Sequence, residues 1–400
     1  MRRLSSRMGL TAAAIAVAVV AVAATAAARS TSSSAGTITI GWAFDSKGAM
    51  APFDNPALAA AQLRVAQLNA KGGVAGKKLQ IKTCDTQGNK PAIAKACALK
   101  LLGGGANVIF TTCDVDFAAP VVQEAINRGV LAIAPCIGTD QMGPKRFGAK
   151  GALAFSFGNV AQDEGSAMAQ YAWGRGWRSA ALATDSVIVY FKNIVQAFKA
   201  RWQQLGGKIV AQESYQDPTF GGNNVQNAVT RLNNVKADVI VTSTAGAYGA
   251  LGPFITGLRT LGNNTPILNS WAGDGTYWLP KSPTVSNYYF VTYASSFGND
   301  PNPAINKLAK QVKAGTGGFV AGPAAIDGLA AAIRRAGGST NGAALAAQMV
   351  KFHKLPTLSG LVSFSAKLHT VYGRQYRVIK IQNNVPRVVG LVVAKVVPKI

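Results

Sequence analysis

The stretch from Thr37 to Ile81 constrains this chain most, because it reads strand, loop, helix, Gly-rich turn, strand. Thr37-Ile38-Thr39-Ile40-Gly41-Trp42 alternates β-branched and small residues, as a strand entering a core does. A helix is predicted from Pro56, since proline suits a first helical turn. Leu58, Val65 and Leu68 fall on one face of it, with Ala61 completing the stripe. The helix ends at Asn69-Ala70-Lys71-Gly72-Gly73, where glycine takes the left-handed cap conformation. Val74 to Lys78 then turns the chain into the strand Leu79-Gln80-Ile81-Lys82.

The same alternation continues. Helices are expected over 91–102 and 117–127, the latter with Asp116 as a cap, and strands at Asn107–Thr111 and Gly129–Pro135. Short continuous apolar strands separated by helices indicate a parallel sheet covered on both faces. Ala152–Phe157 closes this first series, and Gly158-Asn159 marks a crossover. A second series follows, with helices over 165–173, 192–205, 225–233 and 249–261. Its strands are Ser179–Thr184, Lys208–Val210, Ala237–Thr242 and Thr265–Asn269.

At the N-terminus Arg2, Arg3 and Arg7 precede an apolar run from Leu10 to Val22, and Ala26-Ala27-Ala28 offers a small-residue cleavage site. Residues 1–28 are therefore expected to be a signal peptide and 29–36 a flexible Ser-rich leader, placing the mature chain in the periplasm or outside the cell. The remaining chain exceeds one compact core and suits two lobes of roughly 120–200 residues.

Cys84, Cys97, Cys113 and Cys136 fit an oxidising compartment, and no C-x-x-C pair accompanies them. Strand-end positions favour Cys84–Cys97 with Cys113–Cys136, and Cys84–Cys113 is the main rival. No metal is expected, because the two histidines, His353 and His369, lie far away in sequence. Lys and Arg total 41 against 16 Asp and Glu, a formal charge of +25. The basic residues are scattered and not interleaved with aromatics, which points to a solvated surface instead of a nucleic-acid partner.

Enzyme motifs are missing. Leu102-Gly103-Gly104-Gly105 precedes a strand instead of opening a helix, so it makes a turn and no pyrophosphate cradle. Neither G-x-x-x-x-G-K-[ST] nor G-x-S-x-G occurs. Ligands of doubly wound sheets sit beyond the carboxyl ends of strands. Those ends are Asp114 and Val115; Cys136, Ile137 and Gly138; 185–190; 243–248; and 270–274.

Leu68-Asn69-Ala70-Lys71-Gly72-Gly73-Val74-Ala75-Gly76-Lys77-Lys78-Leu79 resembles the opening βαβ unit of type I periplasmic-binding proteins, and within them the branched-chain amino acid receptors of ABC importers. Lys192 to Val210 followed by Ala237-Asp238-Val239-Ile240-Val241 is similar to the second lobe of that family. Tyr288–Thr292 resembles its second crossover strand, 323–336 its returning helix, and Gly360–Ser365 with 375–382 its closing hairpin region. The resemblance implies an α/β fold of two Rossmann-like lobes, each a mostly parallel sheet flanked by helices, joined by a three-crossover hinge. Lobe 1 would comprise 37–157 plus 289–365, and lobe 2 would comprise 158–288 plus 366–400.

The resemblance also implies a monomeric binding protein that is not an enzyme and carries no cofactor. It would capture a small molecule and deliver it to a membrane ABC permease. Sensing for a signalling system and secreted catalysis are the alternatives. By position, Phe53 and Tyr190 take the places of family aromatics, and Asp114 falls near a carboxylate-binding serine. Gly138 stands where threonine is frequent, Thr244 to Tyr248 match a tyrosine-bearing loop, and Asp274 is the acid nearest an ammonium-pairing glutamate. Two hydroxyl donors for a carboxylate are thus absent, and Asp114 and Asp274 bring negative charge from opposite lobes. With Phe53, Tyr190, Tyr248 and Trp271 as stacking surface, the expected ligand is an amino acid, amide or related nitrogen compound.

Overall fold

A computed structural model describes residues 36–399; the expected signal peptide at 1–28 and nearly all of the leader lie outside it. The first series runs β1 (Thr37–Phe44), α1 (Ala51–Ala70), β2 (Lys78–Asp85), α2 (Pro91–Gly103), β3 (Val108–Phe110) and α3 (Val115–Asn127). It ends with β4 (Leu131–Ala134), α4 (Pro144–Phe147) and β5 (Ala154–Asn159). The second runs α5 (Ala161–Gly174), β6 (Ser179–Asp185), α6 (Val189–Gln204), β7 (Lys208–Tyr215), α7 (Val225–Asn233) and β8 (Val239–Ser243). It continues through α8 (Leu251–Thr260), β9 (Ile267–Asn269) and β10 (Tyr288–Thr292). Then come α9 (Pro303–Val312), α10 (Ala321–Arg335), α11 (Gly342–Met349), β11 (Leu355–Thr357) and β12 (Gly360–Val362). β13 (Thr370–Val371), β14 (Tyr376–Gln382) and β15 (Val385–Val392) complete the order.

Two sheets result. The first has the order β13-β5-β4-β3-β1-β2 and is parallel throughout. The second has the order β15-β14-β10-β9-β8-β6-β7, parallel except where β14 and β15 join as an antiparallel hairpin. Buried side chains on α1 (Leu58, Ala61, Val65, Leu68) and α10 (Ala324, Ile326, Leu329, Ile333) share one cluster with Ile38, Ile40 and Trp42 of β1. That packing returns α10 to the first sheet. Its other face is covered by α2 and α3.

The chain passes between the sheets three times, and the passages are tied together. The Asn159 N–H after the first donates to Tyr293 Oη of the second at 3.0 Å. Arg374 Nη2 of the third donates to the Phe157 carbonyl at 2.9 Å. β10 pairs wholly within the second sheet and β13 with β5, so the second and third passages fall after Thr292 and after Val371, later than the sequence suggests.

Helix starts also differ from expectation. α1 begins at Ala51, so Pro56 sits inside it. Proline cannot donate to the carbonyl four residues back. Here that carbonyl, Pro52 O, accepts instead from Thr316 Oγ1 at 2.8 Å, which satisfies the acceptor that the missing N–H leaves open. α3 is capped by Asp114 and not by Asp116: Asp114 Oδ1 accepts from Asp116 N and Phe117 N at 2.9 and 3.4 Å. Asp116 is thereby free to reach outward, to Arg146 Nη1 at 2.7 Å and to Val189 N at 3.0 Å.

Both disulfides of the favoured pairing form, Cys84–Cys97 and Cys113–Cys136, with Cα separations of 5.5 and 4.8 Å. β3 and β4 are neighbours, so Cys113 and Cys136, just beyond their ends, fall within bonding reach.

Candidate ligand-binding cleft

The carboxyl ends of both sheets' strands converge on one small cavity, the position that a doubly wound topology reserves for ligands. From the first-sheet side come Met50 and Phe53 at the start of α1, and Cys113 and Asp114 after β3. From the second come Ile188, Tyr190 and Phe191 at the start of α6, Ala245 and Tyr248 after β8, and Trp271 and Ala272 after β9. The cavity measures about 20 Å³, room for roughly one water. A larger groove of about 400 Å³, lined by Arg64, Lys307 and Asp327 among others, runs along α1, α9 and α10, away from the strand ends.

The walls are aromatic. Phe53 meets Trp271, and Trp271 stacks on Tyr293 with centroids 4.9 Å apart and planes at 15°. Phe191 and Tyr248 lie 5.8 Å apart, and Tyr248 Oη approaches Met50 Sδ at 3.5 Å. Among the lining residues Asp114 is the sole ionisable carboxylate, and none is Lys, Arg or His. Burial and the neighbouring Asp116 push the Asp114 carboxyl up to about 7, against the two cap N–H groups and Arg146.

Of the residues expected from sequence, the fold brings Phe53, Asp114, Tyr190, Tyr248 and Trp271 to the cavity wall. Cys136 stands behind the wall, bonded to Cys113. Gly138 lies against Tyr190: a Cβ there would stand 2.6 Å from Tyr190 Cε2. Val115 and Ile137 point into the core beside α2 and α3 instead of the cleft. Thr244 gives its hydroxyl to Asp185 Oδ2 at 2.8 Å. Asp274 lies off the wall. Its Oδ2 accepts from Thr292 Oγ1 and Gly317 N, both at 2.6 Å, and burial raises its carboxyl to about 7.

Sequence reasoning missed Met50, Cys113 and Phe191 as wall residues, whereas Ile188, Ala245 and Ala272 fall inside the strand-end stretches 185–190, 243–248 and 270–274 that it named. Reading α6 from Lys192 hid Phe191, which the actual start at Val189 places on the buried face of the helix. It also missed Glu164 in the first turn of α5. Glu164 Oε1 accepts from Tyr190 Oη at 2.8 Å and from Trp271 N at 2.7 Å. Burial pushes this carboxyl up to about 8, with Asp163 adding and the two donors opposing.

Residues 37–385 match the periplasmic binding protein family, and the chain belongs to it. Its fold is that of the type I periplasmic binding proteins. It is 25% identical over 335 residues to the Leu/Ile/Val-binding protein BraC3 of Rhizobium johnstonii, covering 82% of this chain and 87% of that one. Leu/Ile/Val-binding protein homolog 3 of Brucella melitensis is 24% identical over 336 residues, with the same coverage. Among solved structures, LivJ of Streptococcus pneumoniae in complex with isoleucine superposes with a TM-score of 0.73 at 21% identity, over 89% of this chain and 99% of that one. An ABC-transporter solute binding protein of R. palustris in complex with benzoate gives 0.71 at 19% identity, over 90% and 99%.

Proposed function

We propose that this chain is an extracytoplasmic solute-binding protein, exported through a leader cleaved near Ala28. As a monomer it holds a small ligand between two lobes, one around each sheet, and delivers it to an ABC permease. One observation carries this: a single cavity is walled by strand-end residues of both sheets. A ligand touching both sides favours the closed arrangement over an open one by its differential contacts, and a permease can read that difference. Hinge closure around ligand is established for periplasmic binding proteins as a class. The cavity's size supports the same motion, since anything larger than water requires the walls to part.

The lining favours a compound with an apolar or flat body and a donor group. Tyr190 and Tyr248 are buried and held far above the usual tyrosine range, so they remain neutral. Asp114 offers an acceptor, and no lining cation stands ready for a carboxylate. Amines, amides and amino acids whose ammonium leads therefore fit better than simple anions. Binding rather than turnover is what these groups support, because no nucleophile beside a base lines the cavity. The test is a melting-temperature screen of the mature protein against amino acids, amides, polyamines, aromatic acids and sugars. A ligand of the folded state raises the melting temperature by mass action. A nitrogen compound should do so; a screen in which only sugars or simple anions shift it would overturn the ligand class.

A further inference from the structure

We propose that Glu164 is the positioning residue for the second-sheet half of the cleft, one carboxylate oxygen fastening the Tyr190 side chain to the Trp271 backbone so that both aromatic walls move with it. The consequence for ligands rests on the solute-binding role above. The geometry does not. Tyr190 belongs to α6 and Trp271 to the turn after β9, and among the described residues no other side chain hydrogen-bonds both. Trp271 in turn stacks on Tyr293 and touches Phe53, so a shift of its backbone reaches the opposite wall.

Glu164 Oε2 is buried and has no hydrogen-bond partner among the described residues. An ionised carboxylate with one bare oxygen in the core is costly, whereas the protonated acid is much less so. The ionisable groups facing it are Asp163 beside it on α5, Tyr190, Tyr293 and Tyr376. Arg374 lies over the Tyr293 ring at 4.9 Å, and no ion pair with Glu164 forms among the described residues. Asp163 is already engaged by Gly373 N at 2.9 Å. Only the Tyr190 and Trp271 donors favour the ionised form of Glu164, and burial outweighs them, pushing the carboxyl up to about 8. Its proton therefore sets the strength with which it grips the two walls.

Tryptophan emission of the ligand-free mature chain, titrated from about pH 6 to about pH 10, tests this. A step centred at about 8 is expected in the wild type. It should vanish in Glu164→Gln, which keeps the size and one acceptor but cannot titrate, and in Trp271→Phe, which removes the reporter. In Tyr190→Phe it should move to higher pH, because a donor favouring the ionised form is lost. A wild type without a step, a step that survives Glu164→Gln or Trp271→Phe, or one that Tyr190→Phe leaves in place overturns the assignment. No ligand enters the titration, so its failure is separate from failure of the solute-binding role, which the melting screen decides.

Discussion

Phe53 and Trp271 meet edge to face, with ring centroids 4.9 Å apart and planes at 64°. One comes from the first turn of α1, which packs on the first sheet, and the other from the turn after β9 in the second. Such a pair adds favourable quadrupole contact to the apolar area that it buries. It is the most direct aromatic bridge between the two sides of the cleft.

Its strength can be measured by a double-mutant cycle. Phe53→Ala and Trp271→Ala should each lower stability by about 3–5 kcal/mol. Their coupling should be about 0.5–1.5 kcal/mol in denaturant unfolding. Strictly additive effects would show that the rings do not hold the cleft walls together.

Stability should fall as pH rises. Burial raises Asp54, Asp114, Asp185 and Asp274 to about 7, Asp163 to about 6 and Glu164 to about 8. The folded chain therefore binds these protons more tightly than the unfolded one, whose values are 3.8 for Asp and 4.5 for Glu. Their stabilisation is complete below the unfolded values and is lost as pH climbs through the folded ones. Asp85, Glu124 and Asp238 shift the other way, but Asp238 is exposed, the other two are partly so, and solvent screens all three. Calorimetric melting should thus be higher at about pH 5 than at about pH 8, and Asp54→Asn should flatten the trend. A melting temperature that climbs over that interval would contradict the burial of these acids.

The two disulfides close loops of 13 and 23 residues within the first series. Reduction should lower unfolding free energy by roughly 2–4 kcal/mol per bridge. Urea unfolding with and without reductant measures it, and thiol labelling of the unreduced, unfolded chain should find none free. Four labelled cysteines would exclude both bridges.

The order of elements was legible because buried parallel strands announce themselves as short apolar runs, as at Val108–Phe110 and Val239–Ser243. Helix starts were less so. Pro56 looked like a first-turn residue because the donor that satisfies Pro52's carbonyl, the Thr316 hydroxyl, lies 264 residues away. Asp114 and Asp116 are both sensible caps locally, and only the outward pull of Arg146 and Val189 on Asp116 separates them. Glu164 gave no local signal, since its partners are 26 and 107 residues distant. Long-range side-chain bonds leave no periodicity to read.

Gly138 should tolerate no side chain while Tyr190 is present. A Cβ would stand 2.6 and 2.9 Å from two carbons of the Tyr190 ring. Gly138→Ala must displace the ring and should cost about 1–3 kcal/mol, the usual scale of overpacking. In a Tyr190→Ala background most of that cost should disappear, as a thermal-denaturation cycle would reveal. Equal costs in both backgrounds would locate the strain elsewhere, at the Asn159 carbonyl 3.1 Å away.

Asp114 and Asp274 should separate cleanly into a binding and a structural role. Asp114 lines the cavity and commits Oδ1 to capping α3. Asparagine caps about as well as aspartate, so Asp114→Asn should leave stability nearly unchanged. If the ligand presents a charged donor, losing its partner should weaken binding by about 2–5 kcal/mol. Asp274 spends Oδ2 on Thr292 and Gly317 and stands off the wall, so Asp274→Asn should change unfolding while sparing affinity. Titration calorimetry with the compound that gives the largest melting shift, set beside urea unfolding of each variant, distinguishes the two. If Asp114→Asn binds as tightly as wild type, the cleft recognises its ligand through shape and aromatic contact alone. If Asp274→Asn is the one that loses affinity, the ligand reaches past Trp271 to the turn beyond it.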